Sequence, residues 1–153
     1  MIFMKIEDEI KQSKFRDQYQ KAAINIFFTA SWMNNLNAEA LKPFKISIQQ
    51  FNILRILKGM NPEPVTVKLL TERMIDKMSN ASRLVDKLNA KNLVERKSCP
   101  LDRRRVDIKI TALGLKTVDE ASKALETGMD QRMKNISEKE AEQLSNLLDR
   151  LRS

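Results

Sequence analysis

A mainly α-helical fold with a small β-hairpin is predicted by three features of the sequence. Only 3 Gly and 4 Pro punctuate its 153 residues, which favours long helices over a many-turned sheet. Apolar residues recur at three- and four-residue steps through most of the chain. Near the middle that period gives way to alternation, with Val106, Ile108 and Ile110 separated by Asp107 and Lys109. In order, 66–111 reads as a short helix, a turn, a longer helix with a basic outer face, and a hairpin carrying three consecutive arginines. That order is a winged helix-turn-helix. The length suits one domain, 1–153, large enough to bury a core. Within it 47–111 forms the winged helix-turn-helix, and 1–46 and 112–153 supply helices for dimerisation.

The first element predicted is one long amphipathic helix over 7–37, with Ile10, Phe15, Tyr19, Ala22, Ala23, Ile26, Phe27, Ala30, Met33 and Leu36 on its apolar side. With Phe28 and Trp32 added, that side is wider than a small wing domain needs. It suits contact with a second subunit or with the C-terminal helices, although any single residue could equally be internal core. A turn at Pro43 follows. Ser47-Ile-Gln-Gln50 is a capping box that opens the next helix, which buries Ile48, Phe51, Leu54, Ile56 and Leu57 and stops at Gly59. Thr66 caps a helix over 67–74 whose Leu69, Leu70 and Met74 face inward.

Ile75-Asp76 makes the turn, and Asp76 caps a second helix over 77–91. Its inner stripe is Met78, Ala81, Leu84, Val85 and Leu88, and Asn92 supplies the left-handed residue that ends it. The strand 106–110 pairs with 93–98, where alternation is weaker. Thr111 caps a helix with the stripe Leu113, Val118, Ala121, Leu125, Met129 and Met133. A second capping box, Ser137-Glu-Lys-Glu140, opens a last helix bearing Ala141, Leu144, Leu147, Leu148 and Leu151.

The formal net charge is +8, which favours an anionic partner. Residues 77–109 hold 10 Lys/Arg and 4 Asp/Glu, a net of +6, so the excess is local to the helix-turn-helix and hairpin. A single cysteine, Cys99, forms no internal disulfide and fits a reducing cytoplasm. The start turns acidic at once and is no secretory signal. The most apolar stretch, 22–33, is too short and too interrupted to span a bilayer, so no membrane partner is expected. With no His, one Cys and no glycine-rich loop, the usual parts of an enzyme, a zinc site or a nucleotide-phosphate site are missing. No cofactor and no metal are expected.

Duplex DNA needs cations for its phosphates and donors or acceptors for its base edges. The outer face of 77–91 offers both: Lys77 and Lys87 flank Asn80 and Arg83, and small Ser79 and Ser82 permit close approach. An ordinary solvated helix face would look the same. The loop changes the balance, because Arg103, Arg104 and Arg105 repel one another at a hairpin tip, whereas a narrow minor groove attracts them. Asp102 caps that turn or aims one of the arginines. Beside Lys97 and the arginines, Cys99 is either a thiol of lowered pKa or, more simply, a passive strand residue.

The run Asp102-Arg103-Arg104, followed by Val106, Ile108, Ile110-Thr111 and Gly114, resembles the wing signature of the MarR family of bacterial transcription regulators. So does Arg83-Leu-Val-Asp-Lys-Leu88 followed by Asn92-Leu-Val-Glu-Arg96. The departures are Asn92, where the family usually has Gly, and Ile110, where Leu is usual. The resemblance implies a homodimeric repressor that binds an inverted repeat in double-stranded DNA. It maps the groove-reading helix to 77–91 and the minor-groove arginine to Arg103 or Arg104. It further implies release of DNA on binding a small organic effector, in a pocket that Phe27, Trp32, Met33 or Phe51 could line or could equally leave as core. A winged-helix protein-interaction module that has lost DNA binding is the competing expectation.

Overall fold

The computed structural model describes residues 4–98 and 106–153. These fall into two compact units, one ending at Asn37 and the other beginning at Ala38.

In the first unit the expected continuous helix is broken. A single turn, α1 (Ile6–Glu9), ends at Ile10, and Lys11 adopts a left-handed φ of 53°. Helix α2 (Gln18–Leu41) starts afresh, its first turn closed by Asp17, whose Oδ1 accepts the Gln20 N–H at 2.8 Å. A start signal in Asp17 thus outweighs the apolar periodicity that runs through it. Lys21 pairs with Glu7 and lies 5.9 Å from the centroid of the Phe15 ring. Within α2 only Leu41 is buried, and Tyr19 and Phe27 are exposed.

The second unit holds the core. A 3₁₀ turn (Lys42–Phe44) leads to α3 (Ile48–Met60), where the Ser47–Gln50 capping box is complete in both directions. Helix α3 is the central element, burying Ile53, Leu54, Ile56 and Leu57. It does not stop at Gly59, which keeps a negative φ inside the last turn. The stop is Asn61, extended at φ −60°, ψ 134° before Pro62, which disfavours helical geometry in the residue ahead of it. Gly59 is exposed, with nothing within 4 Å of a Cβ built on it. Gly59→Ala is therefore expected to raise stability by about 0.5–1 kcal/mol in chemical denaturation. A loss instead would mean that something packs over this turn.

Helix α4 (Val67–Arg73), capped by Thr66, packs Leu70 inward, and α5 (Ala81–Asn89) packs Ala81, Val85 and Leu88. Strand β1 (Val65–Thr66) joins β2 (Val94–Ser98) and β3 (Val106–Ile110) in an antiparallel sheet of order β1-β3-β2. The hairpin is thus as expected, while β1 is too short to leave an alternation in the sequence. Val65 faces Ile108, and Val94 faces Ile110, all four buried. Helices α6 (Ala112–Met133) and α7 (Glu138–Leu151) begin at the expected caps, Thr111 and the Ser137–Glu140 box. Val118 and Ala121 of α6 reach the core, whereas Leu113 and Met133 are exposed and α7 buries no residue.

Candidate nucleic-acid interface

The unit from α4 to α5 is held by its backbone connections. Met74 leaves α4 in an extended conformation and is buried at 1% exposure. The next N–H, of Ile75, donates at 3.0 Å to Oδ1 of Asn52, a buried asparagine of α3. The turn is thereby tied to the central helix. From Asp76 to Ser79 the chain makes a β-turn closed by Ser79 N–H to the Asp76 carbonyl at 3.3 Å. Asp76 Oδ1 accepts the Met78 N–H at 3.0 Å and Oδ2 accepts the Ser79 hydroxyl at 2.7 Å. The Ser79 hydroxyl first, then the Met78 N–H, hold the Asp76 carboxyl below the usual carboxylate range.

This arrangement corrects the expected start of the second helix. Asp76 caps the turn and not the helix, which begins at Ala81 instead of Lys77. The N-cap is Asn80, whose Oδ1 accepts the Arg83 N–H at 3.0 Å. Both Asp and Asn favour local bonds to following N–H groups, and the two compete here four residues apart. Met78, expected in the inner stripe, sits in the turn and is 93% exposed. The other end of α5 is as expected. Asn92 is left-handed at φ 57°, with Asn92 N–H on the Asn89 carbonyl at 2.9 Å and Leu93 N–H on the Leu88 carbonyl at 3.1 Å. This is a Schellman closure.

The residues expected to meet DNA divide by their engagements. Lys77 donates its Nζ to the Glu72 carbonyl at the end of α4, Ser79 is held by Asp76, and the side-chain Oδ1 of Asn80 serves the cap. Ser82 is half-buried. Arg83 and Lys87, four residues apart on one exposed face of α5, make no ion pair with any described residue. The nearest acid in the helix, Asp86, is engaged by Arg96 of β2, which ties α5 to the sheet. Lys97 pairs with Glu95 at 2.9 Å. Arg103, Arg104 and Arg105, with Asp102 and Cys99, lie outside the described residues. Asn52 escaped sequence reasoning: a polar residue between Phe51 and Ile53 was the available signal.

No group of three or more metal-ligating side chains occurs among the described residues. Among the described residues no helix is long and apolar enough to cross a membrane.

Residues 44–105 match the family model of the MarR family. A MarR transcription factor from Planctomyces limnophilus is 26% identical, covering 89% of this chain and 98% of that one at a TM-score of 0.68. A mutant MarR from E. coli, solved in complex with operator DNA, is 23% identical over 91% of this chain and 99% of that one, with a TM-score of 0.77. MepR from S. aureus, solved in a DNA complex, is 22% identical over 90% of this chain and 97% of that one, also at 0.77. The likeness to these last two is one of fold, a winged helix with a small three-stranded sheet.

Proposed function

We propose that this chain is a homodimeric repressor of the MarR family that binds an inverted repeat in duplex DNA and releases it on binding a small organic effector. One observation carries the reading. Arg83 and Lys87 stand together on the outward face of α5, without a described counter-charge, in a segment of net charge +6. A face that served only solubility would gain nothing from that concentration. The DNA complexes of E. coli MarR and S. aureus MepR, similar in fold, support the same reading. The two-fold relation of a dimer would set two reading helices about 34–36 Å apart, one turn of DNA.

Roles divide within each reading head. Arg83 reaches a base edge, with Asn80 beside it through its amide nitrogen, since Oδ1 is taken by the cap. Lys87 and Lys77 meet phosphates, Ser79 and Ser82 allow close approach, and Arg103, Arg104 and Arg105 work in the minor groove and on phosphates.

Arg83→Ala is expected to cost roughly 1–3 kcal/mol on the operator and to relax preference at one position per half-site. Arg104→Ala is expected to weaken operator and scrambled duplexes evenly and to flatten the log–log salt slope by about one unit for each phosphate no longer neutralised. Titrations of both variants on both duplexes at several salt concentrations decide it. The reverse pattern would exchange the two roles. Absence of salt-sensitive duplex binding in the wild type would replace the regulator with a protein-interaction module.

A further inference from the structure

The turn between α4 and α5 exposes two large apolar side chains, Ile75 at 82% and Met78 at 93%. We infer that Met78, flanked by Ile75, is a specificity-determining residue that packs on the C5-methyl groups of thymines at the edge of each half-site. The inference rests on the regulator reading above.

Three observations carry it. The first is position. Met78 occupies a corner of the Asp76–Ser79 turn, two residues before the Asn80 cap of α5. A helix that lies in the major groove brings its N-terminal end, and the residues just ahead of it, closest to the bases.

The second is fixation. The turn is fastened by Asn52 to the Ile75 N–H, by Asp76 to the Met78 N–H and the Ser79 hydroxyl, and by Lys77 to the Glu72 carbonyl. The Ile75 and Met78 N–H groups are themselves among those bonds. Met78 therefore cannot fold back into its own core without breaking them. Met74, one residue before Ile75, already fills the inward position at 1% exposure.

The third is charge. Lys77 lies between the two apolar residues and Arg83 and Lys87 follow them on α5, outnumbering Asp76 of the turn, so an occupant that is anionic around an apolar spot is favoured. The major-groove edge of a thymine meets that description, since its C5-methyl is the one apolar group among the base edges and lies between phosphate backbones. Methionine is unbranched and polarisable, and fits a methyl surface of varying shape.

The test uses the full chain and a duplex selected from a random double-stranded pool. Replacing each thymine in turn by deoxyuridine removes one methyl and leaves every hydrogen-bonding group. The wild type is expected to lose about three- to tenfold in affinity at one or two thymines per half-site. Met78→Ala, at so exposed a position, is expected to melt as the wild type does. It is expected to bind thymine and deoxyuridine duplexes alike at those thymines, while Met78→Leu keeps the discrimination.

Indifference of the wild type to every methyl would overturn the inference while leaving the regulator reading standing. So would undiminished discrimination in Met78→Ala, or an equal loss by that variant on scrambled duplexes. A protein that selected no duplex at all would instead overturn the regulator reading.

Discussion

Gly114→Ala is expected to lower stability by about 3 kcal/mol or more, at or beyond the upper end for overpacking. In a chain of this size that is roughly 6–12 °C in melting temperature. Gly114 sits in the first turn of α6 at an ordinary helical conformation, so the reason is not a special φ. A Cβ there would lie 2.1 Å from the Leu93 carbonyl oxygen and 2.8 Å from Ile110 Cγ1. The first of these is a backbone atom, and that backbone is committed. The Leu93 carbonyl accepts the Thr111 N–H at 3.1 Å, its N–H closes the end of α5, and the Thr111 hydroxyl donates to the neighbouring Asn92 carbonyl at 2.8 Å.

Alanine is the better helix former by about 1 kcal/mol. That gain is too small to offset displacement of three tied segments. Because the same carbonyl belongs to the loop that ends α5, DNA affinity should fall as well. Circular dichroism melts of Gly114→Ala beside Gly59→Ala isolate the cause. At Gly59 the same substitution meets nothing and should stabilise. An unchanged melt for Gly114→Ala would mean that α6 can move away from Leu93 at no cost.

That glycine also shows how far the sequence could be read. Gly114 stood out only as part of a resemblance, and its physical reason, a backbone carbonyl pressed against Cα, joins residues 21 positions apart and leaves no local trace. Caps were legible because their chemistry is local: Ser47, Thr66, Thr111 and Ser137 all accept the N–H groups expected of them. The strand β3 was legible through Ile108 and Ile110, and the end of α5 through Asn92. The start of α5 was not, because Asp76 and Asn80 are both good caps, and the tie that fastens the turn between them to the central helix comes from buried Asn52, 23 residues earlier than Ile75. Misplacing that start put Met78 in the core when it is among the most exposed apolar side chains described. Periodicity failed similarly at Asp17, where an unbroken apolar stripe concealed a helix start.

Placing charge on α7 is expected to have the largest effect on DNA affinity of any change outside the reading head. Helix α7 is well formed, with both halves of its capping box in place, yet none of its residues is buried. Leu144, Leu147 and Leu151 recur at three- and four-residue steps and are 49%, 57% and 69% exposed. An isolated helix of 14 residues is marginal in water, so an apolar face of this kind needs a covering surface. Tyr19 and Phe27 on α2, and Met133 on α6, are exposed as well. A second copy of the chain, joined through its N- and C-terminal helices, is the cover proposed here.

The variant Leu144→Glu, Leu147→Glu, Leu151→Glu should keep the core around α3, because α7 contributes no buried residue to it. Sedimentation equilibrium should then show a dimer for the wild type at micromolar concentration and a monomer for the variant. Losing the second reading head removes the gain of bivalent attachment, so operator affinity should fall about 10²- to 10⁴-fold, while affinity for an isolated half-site stays the same. A wild type that sediments as a monomer at micromolar concentration would refute the dimer. A variant that stays dimeric would move the interface off α7.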